Sequence, residues 1–429
     1  MSGSTRQKRV TIPGLLLCLG LAFGARAQAP PPAPTLPPEL LLPSALLPAS
    51  SIPPPLAAPP AYLRAVFYAT DDDSGVASFR AHADEVSLLA PQCFSLDRYG
   101  QLHGSLPAEL MAVARAHRVP VMPLVINEGF SRRQAHDFLH DVEARDRAVG
   151  ALLQTARDNG LAGYQIDFEG LSSTDRDAFS RFIAELGAGL HRHGKILSVA
   201  VAARTSEDVT GSFKTYSGVY DYARLAGAAD FLSVMAYPEH SGSDPGPLAS
   251  YPWVEQVIQH ELQSIPPDKF SLGVPTYATD WTERRVRISI WRRIGRRLRR
   301  FFHWTYHLFG RTQPAADVAN HDDLHWDPRL KSSYRAYGSG RHYHVVWVED
   351  ARSFAAKLGL ARKYHLRGFS VWRLGLEDPA IWARLPAPAA PATALAVVAT
   401  RPAAPAPVRS VRLPIGASGF AAARAAAPR

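Results

Sequence analysis

Ala162-Gly163-Tyr164-Gln165-Ile166-Asp167-Phe168-Glu169 is the stretch that decides how this 429-residue chain is read. On an extended strand Gly163, Gln165, Asp167 and Glu169 share one face, and Tyr164, Ile166 and Phe168 share the other. The apolar face suits packing against helices, which leaves the polar face for a barrel interior. Glu169 then falls at the carboxyl end of the strand, where barrel active sites are built. Two carboxylates this close cannot both ionise freely, so one pKa should rise and an acid should persist near neutral pH. A group that protonates a leaving oxygen needs that property. The alternative at this point is a structural ion pair at a strand end.

Working outward, short β-branched runs alternate with longer helical stretches. Strands are expected at 63–68, 86–89, 119–126, 163–168, 196–201, 231–235, 270–274 and 368–372. Helices are expected between them, including 135–159 and 175–193, the second with Thr174 as its N-cap. Eight strands, mostly followed by helices, predict an α/β fold of the (β/α)8 or TIM-barrel type. A doubly wound open sheet competes, but no glycine-rich phosphate loop follows the first strand. The interval between strands seven and eight is too long for one helix, and predicts a small α+β insertion at about 282–348. Within it, 334–337 and 342–348 alternate like a hairpin around Gly338-Ser339-Gly340.

The ends have different characters. Residues 1–27 show a basic start, an apolar run and a small-residue cleavage pattern, the form of a signal peptide. Residues 28–60 form a Pro-rich linker, 61–385 the barrel domain, and 386–429 an Ala/Pro/Arg tail expected to be disordered. Export to the outside, the periplasm or the cell envelope is expected. Only Cys93 would remain after cleavage, so stability must come from the core, and 46% of the chain is hydrophobic. The formal charge of +10 is local: ten arginines and no acid lie within 284–311. This excludes a general nucleic-acid signature. Val286, Ile290, Ile294, Leu298, Phe301 and Thr305 fall at helical spacing there. They predict a basic amphipathic helix, either binding an anionic membrane or wall polymer or simply lying on the barrel with a solvated Arg face.

The central stretch resembles the strand-four signature of glycoside hydrolase family 18, Asp-Gly-x-Asp-x-Asp-x-Glu. Gly163, Asp167 and Glu169 match, while Ala162 and Gln165 replace the first two acids. Met235-Ala236-Tyr237 resembles the family's strand-six Met-x-Tyr, and Trp372 stands where strand eight supplies the floor of the sugar site. Pro238-Glu239-His240, Gly246 to Ser250, Pro252-Trp253-Val254, Glu349 to Ser353 and Trp372 to Leu376 are most similar to the spore-cortex-lytic, germination-type N-acetylglucosaminidase branch. The resemblance spans about 62–384.

It implies a hydrolase acting on β-linked N-acetylglucosamine polysaccharide, peptidoglycan or chitin-like, by substrate-assisted retaining catalysis. Glu169 would be the acid, Asp167 would hold the substrate acetamide, and Tyr237 would donate to the acetamide oxygen. Trp372, Gln165, Met235, Tyr68 and Glu239 would bind substrate. Pro238 stands where the family usually has an acid, and Glu239 or Asp244 is a candidate replacement. The alternative is a catalytically weak or inactive carbohydrate-binding barrel. A monomer is expected, with no cofactor, no metal and no nucleic-acid partner. The pair His342/His344 is read as structural or surface rather than metal-binding, Asp71-Asp72-Asp73 as a helix cap or else a lining of the cleft, and Trp281, Trp326 and Trp347 as either sugar platforms or core.

Overall fold

The computed structural model describes residues 64–206, 213–241, 244–294, 297–339 and 342–385, and the side chains of 213, 215, 283–309 and 339 are left aside. The expected signal peptide, linker and tail lie outside the described residues.

Eight parallel strands form the core: β1 (Arg64–Ala69), β2 (Leu89–Leu96), β3 (Leu124–Asn127), β4 (Gly163–Asp167), β5 (Ile196–Ala202), β6 (Phe231–Met235), β7 (Phe270–Pro275) and β8 (Gly368–Trp372). Each pairs with the next, and β1 also pairs with β8 through Arg64 and Gly368, so the sheet closes into a barrel. Helices α1 (Asp73–Ala81), α2 (Ala108–His117), α3 (Arg132–His140), α4 (Val142–Asp158), α5 (Arg176–Arg192), α6 (Tyr222–Ala228) and α7 (Tyr251–Glu261) occupy the connections between strands. The expected (β/α)8 fold is therefore what the chain adopts.

The period-two reading holds in detail. Tyr164, Ile166 and Phe168 join the large apolar cluster shared with the helices, including Phe138, Phe179 and Phe182. Inside the barrel, Val66, Leu124, Ile196 and Phe231 form a separate apolar layer. Parallel strands leave no room for bulk where they approach most closely. A Cβ at Gly163 would lie 1.8 Å from the Ile196 carbonyl oxygen.

Several expectations are corrected. The second strand begins at Leu89 rather than 86, and Pro91 with the irregularity between Gln92 and Phe94 disguised its continuation. The third is confined to Leu124–Asn127, with Val121 making only an isolated bridge to Leu89. The expected helix 135–159 is two helices, because Asp141 ends α3 and caps α4 by accepting from the Ala144 amide at 3.1 Å. Thr174 does not cap α5. It lies in a 3-10 turn, Ser173–Asp175, and Asp175 takes the cap position.

The largest correction concerns 284–311, which is not a helix. Strands Tyr277–Ile294 and Arg297–Pro314 pair antiparallel from Ile294–Arg297 down to Tyr277–Pro314. Val286, Ile288 and Ile290 alternate with polar residues, and this β-branched period-two pattern outweighs the looser helical spacing. The amphipathic-helix argument for adhesion to an anionic membrane or wall polymer loses its basis.

With Ser332–Ser339, His342–Val348 and His325–Asp327 these strands make a five-stranded sheet, beside the short α8 (Ala316–Ala319). The inserted lobe thus starts at Tyr277, five residues before the expected boundary. Helix α9 (Ala351–Lys363) then leads back to β8. Trp281 is buried and donates to the Gly246 carbonyl at 3.2 Å, the Arg352 guanidinium lies 3.9 Å over Trp326, and Trp347 stands 4.9 Å from Tyr334. All three are engaged in packing. His344 is likewise local, 3.0 Å from Asp280 and stacked on Tyr337.

Two glycines separate close approach from open space. Gly163→Ala should lower unfolding free energy by about 2 kcal/mol, because the Ile196 carbonyl cannot move freely. Gly150→Ala, inside α4 with nothing within 4 Å of its Cβ, should raise it by about 0.5–1 kcal/mol. Urea midpoints for both variants check the pair of signs.

Candidate active site

Because the strands are parallel, their carboxyl ends meet at one mouth. Asn127, Asp167, Met235 and Trp372 each end a strand there, and Glu169 and Tyr237 stand two residues past β4 and β6. Gly273 makes room for Tyr237: a Cβ there would lie 3.0 Å from the Tyr237 ring. The peptide bonds Tyr237–Pro238 and Trp372–Arg373 are cis.

Asp167 is 5% exposed, and its Oδ1 is buried with no hydrogen-bond partner among the described residues. Burial pushes its pKa well above the ordinary carboxylate range, and the neighbouring Glu169 charge pushes it further. Burial also raises Glu169, against the pull of the Tyr216 hydroxyl, which donates to Glu169 Oε2 at 3.3 Å. The two carboxyls therefore hold a proton at pH values where free carboxylates have lost theirs.

The backbone of Glu169 is fixed by one side chain. Asn127 Oδ1 accepts from the Glu169 amide at 2.9 Å, and Asn127 Nδ2 donates to the Glu169 carbonyl at 3.1 Å. Arg132 adds a bond to the next carbonyl, Gly170, at 2.8 Å. Sequence reasoning missed Asn127 and Tyr216. A polar residue directly after an apolar strand run was a usable signal for Asn127. Tyr216 offered none, since its loop joins the site only through the fold.

The expected substrate contacts divide. Trp372, Met235 and Tyr237 remain partly exposed at the mouth. Gln165 and Tyr68 are buried inside the barrel instead. Gln165 Nε2 donates to the Tyr68 hydroxyl, and Gln165 Oε1 accepts from Ser198 at 3.1 Å and Ser233 at 3.4 Å. Ser233 continues to Ser370 at 2.8 Å, and Ser370 to Ser271 at 2.7 Å. Burial within this network pushes the Tyr68 phenol up to about 12, so it stays a neutral donor. Tyr68 also meets the Trp372 ring, 5.6 Å between centroids, and so supports it from below.

Glu239 is engaged at the start of α7. Its carboxylate accepts from the Ser250 amide at 2.6 Å and the Ser250 hydroxyl at 3.0 Å, at the start of α7. Asp244 accepts from His240 at 2.9 Å. Asp72 caps α1, accepting from the Gly75 amide at 2.9 Å, and is bridged at 2.9 Å by Arg373. Although burial opposes it, hydrogen bonds from Ser74, Thr70 and Gly75 together with Arg373 hold this carboxyl at about 2. That tie joins the loops after β1 and β8, where the barrel closes.

A proton-holding acid pair at the mouth of a parallel barrel defines a glycoside hydrolase in outline, and comparison with known proteins fixes the family. The chain belongs to the glycosyl hydrolases family 18, which residues 71–377 match. It is 26% identical over 326 residues to the uncharacterized glycosylase YvbX of Bacillus subtilis, covering 74% of this chain and 89% of that one. It is 28% identical over 304 residues to the cortical fragment-lytic enzyme of the same organism, covering 69% of this chain and 66% of the relative. Among solved structures, a Chromobacterium violaceum chitinase superposes with a TM-score of 0.65 at 27% identity, over 75% of this chain and 98% of that one. The chain is a family-18 glycoside hydrolase.

Removing the Tyr216 hydroxyl removes the contact that lowers the Glu169 pKa. In Tyr216→Phe the alkaline limb of kcat/KM against pH, measured on a chromogenic glycoside, should move to higher pH. An unmoved limb, or one shifted downward, would contradict the assigned contact.

Proposed function

We propose that the chain cleaves β-linked N-acetylglucosamine polysaccharide at the cell envelope, with peptidoglycan as the favoured polymer, by substrate-assisted retaining hydrolysis. The observation that carries the reading is the buried Oδ1 of Asp167 beside Glu169, without a hydrogen-bond partner among the described residues. A buried carboxyl oxygen without a partner is costly, and an acetamide N–H entering the mouth would satisfy it. Substrate-assisted members of this family need no second carboxylate as nucleophile, because the 2-acetamido oxygen attacks the anomeric carbon.

In the proposed sequence Glu169 donates its proton to the glycosidic oxygen while the acetamide oxygen closes on the anomeric carbon. Asp167 holds the acetamide nitrogen and balances the positive charge that develops on the ring so formed. Tyr237, kept a neutral phenol by burial and by the nearby tyrosines and acids, donates to the acetamide oxygen. Trp372 offers the sugar an aromatic face, backed by Tyr68. Water then opens the intermediate with Glu169 as base, which restores the starting proton. Gln165 and Tyr68 act as positioning residues through the network under Asp167. Peptidoglycan is favoured because two similar proteins are named a cortical fragment-lytic enzyme and a spore cortex-lytic enzyme.

Wild type, Glu169→Gln and Asp167→Asn are compared on chito-oligosaccharide and on purified peptidoglycan. Glu169→Gln should lower kcat by about 10²–10⁴-fold with little change in KM. Proton NMR of the first product should show retained configuration at the anomeric carbon. Equal turnover by wild type and Glu169→Gln would remove Glu169 from the chemistry, and an inverted product would remove the acetamide from it.

A further inference from the structure

Away from the catalytic mouth, α3 carries His136 and His140 one helical turn apart, so both imidazoles project from the same face. Asp175, at the start of α5, faces them. His136 Nδ1 lies 2.7 Å and His140 Nε2 3.1 Å from Asp175 Oδ1. Ligand atoms of the three residues all fall within 4.8 Å of one another.

Two features of Asp175 set this cluster apart from an ordinary surface ion pair. An aspartate at an N-cap normally turns its carboxylate onto its own helix. Asp175 makes no such capping bond and spends Oδ1 on the two histidines instead. Its side chain is 1% exposed, and Oδ2 is buried with no hydrogen-bond partner among the described residues. Meanwhile both histidine side chains are 51% exposed, so an ion could reach the site from solvent.

We propose that His136, His140 and Asp175 bind a divalent transition metal of the zinc type, independently of the reading of the catalytic mouth. Two imidazoles and one carboxylate suit borderline ions, whereas magnesium and calcium prefer all-oxygen shells. Zinc accepts such ligands at about 2.0–2.2 Å and leaves a fourth position for water. Ligand atoms around one four-coordinate ion then lie roughly 3.3–3.6 Å apart. Both rings already lie within 3.1 Å of Asp175 Oδ1, so the three ligands face one point.

The ion would staple α3 to the start of α5. Those two elements bracket the loop that carries Glu169. Arg132 of α3 bonds the Gly170 carbonyl, and Phe138 of α3 meets Phe168 at 6.0 Å. The metal is therefore a clamp on the acid's loop, six residues beyond Glu169, and takes no part in the bond cleavage.

The test is zinc titration calorimetry on the metal-depleted full chain, with cobalt as a spectroscopic probe. Wild type should bind one zinc ion with micromolar or tighter affinity and raise its thermal midpoint on binding. Cobalt should give the visible absorption of a four-coordinate site. Outer partners of metal ligands alone are worth about 10–100-fold, so His136→Ala and His140→Ala should each weaken binding by about 100-fold or more. Histidine His117→Ala, a surface control paired with Asp84, should leave it unchanged. Thermal midpoints of the histidine variants without metal report whether they are folded. No zinc binding by wild type, or equal binding by folded His136→Ala/His140→Ala, would overturn the proposal. A midpoint raised equally by magnesium would overturn the metal class.

Discussion

The amide of Gln165 ties together the carboxyl half of the barrel interior. From β4 it reaches Tyr68 on β1, Ser198 on β5 and Ser233 on β6, and Ser233 passes the chain to Ser370 on β8. A barrel filled with apolar side chains at this level would need no such network, but it would have nothing polar beneath Asp167. A carboxylate at position 165 would put a third charge among groups already raised by burial. The neutral amide bonds the hydroxyls of Tyr68, Ser198 and Ser233 and adds no charge. Asp167 and Glu169 are left to set each other's protonation.

The rest of the site follows from that constraint. With the floor fixed, Asn127 and Arg132 hold the backbone just past β4, and Tyr216 touches the acid from the opposite loop. Trp372 rests on Tyr68, so the aromatic floor and the polar network share one support. The Asp72–Arg373 bridge closes the ring of loops where β1 meets β8. The run Glu349 to Ser353, one of the stretches most similar to the germination-type branch, braces a helix. Glu349 pairs with Lys357 at 2.8 Å in full burial, and Asp350 caps α9.

How much of this was legible in the sequence depends on range. Alternation along β4 gave the inside and outside of the strand, because side-chain direction there is set by period two alone. Asp72 was readable as a cap from its place before a helix. The apolar residues of the Arg-rich segment fit two periods at once, and pairing with the neighbouring strand favours the β-branched alternation over the helical spacing. Gln165 was legible on the inner face of β4, but its depth and that of Tyr68 were not, since burial depends on six strands that sequence spacing does not relate. His136 and His140 are visible one turn apart, yet their partner Asp175 lies 35 residues beyond His140 and joins them only when α3 meets α5.

The central claim is that Asp167 and Glu169 together keep a proton above the ordinary carboxylate range. Carbon-13 NMR of labelled Asp and Glu carboxyls, followed against pH in wild type and in Asp167→Asn, reads that directly. The account requires a carboxyl signal in wild type that titrates well above the usual value of about 4, and that shifts or disappears in the variant. If every carboxyl assigned to the pair titrates at or below that value, the shared proton does not exist and the account fails.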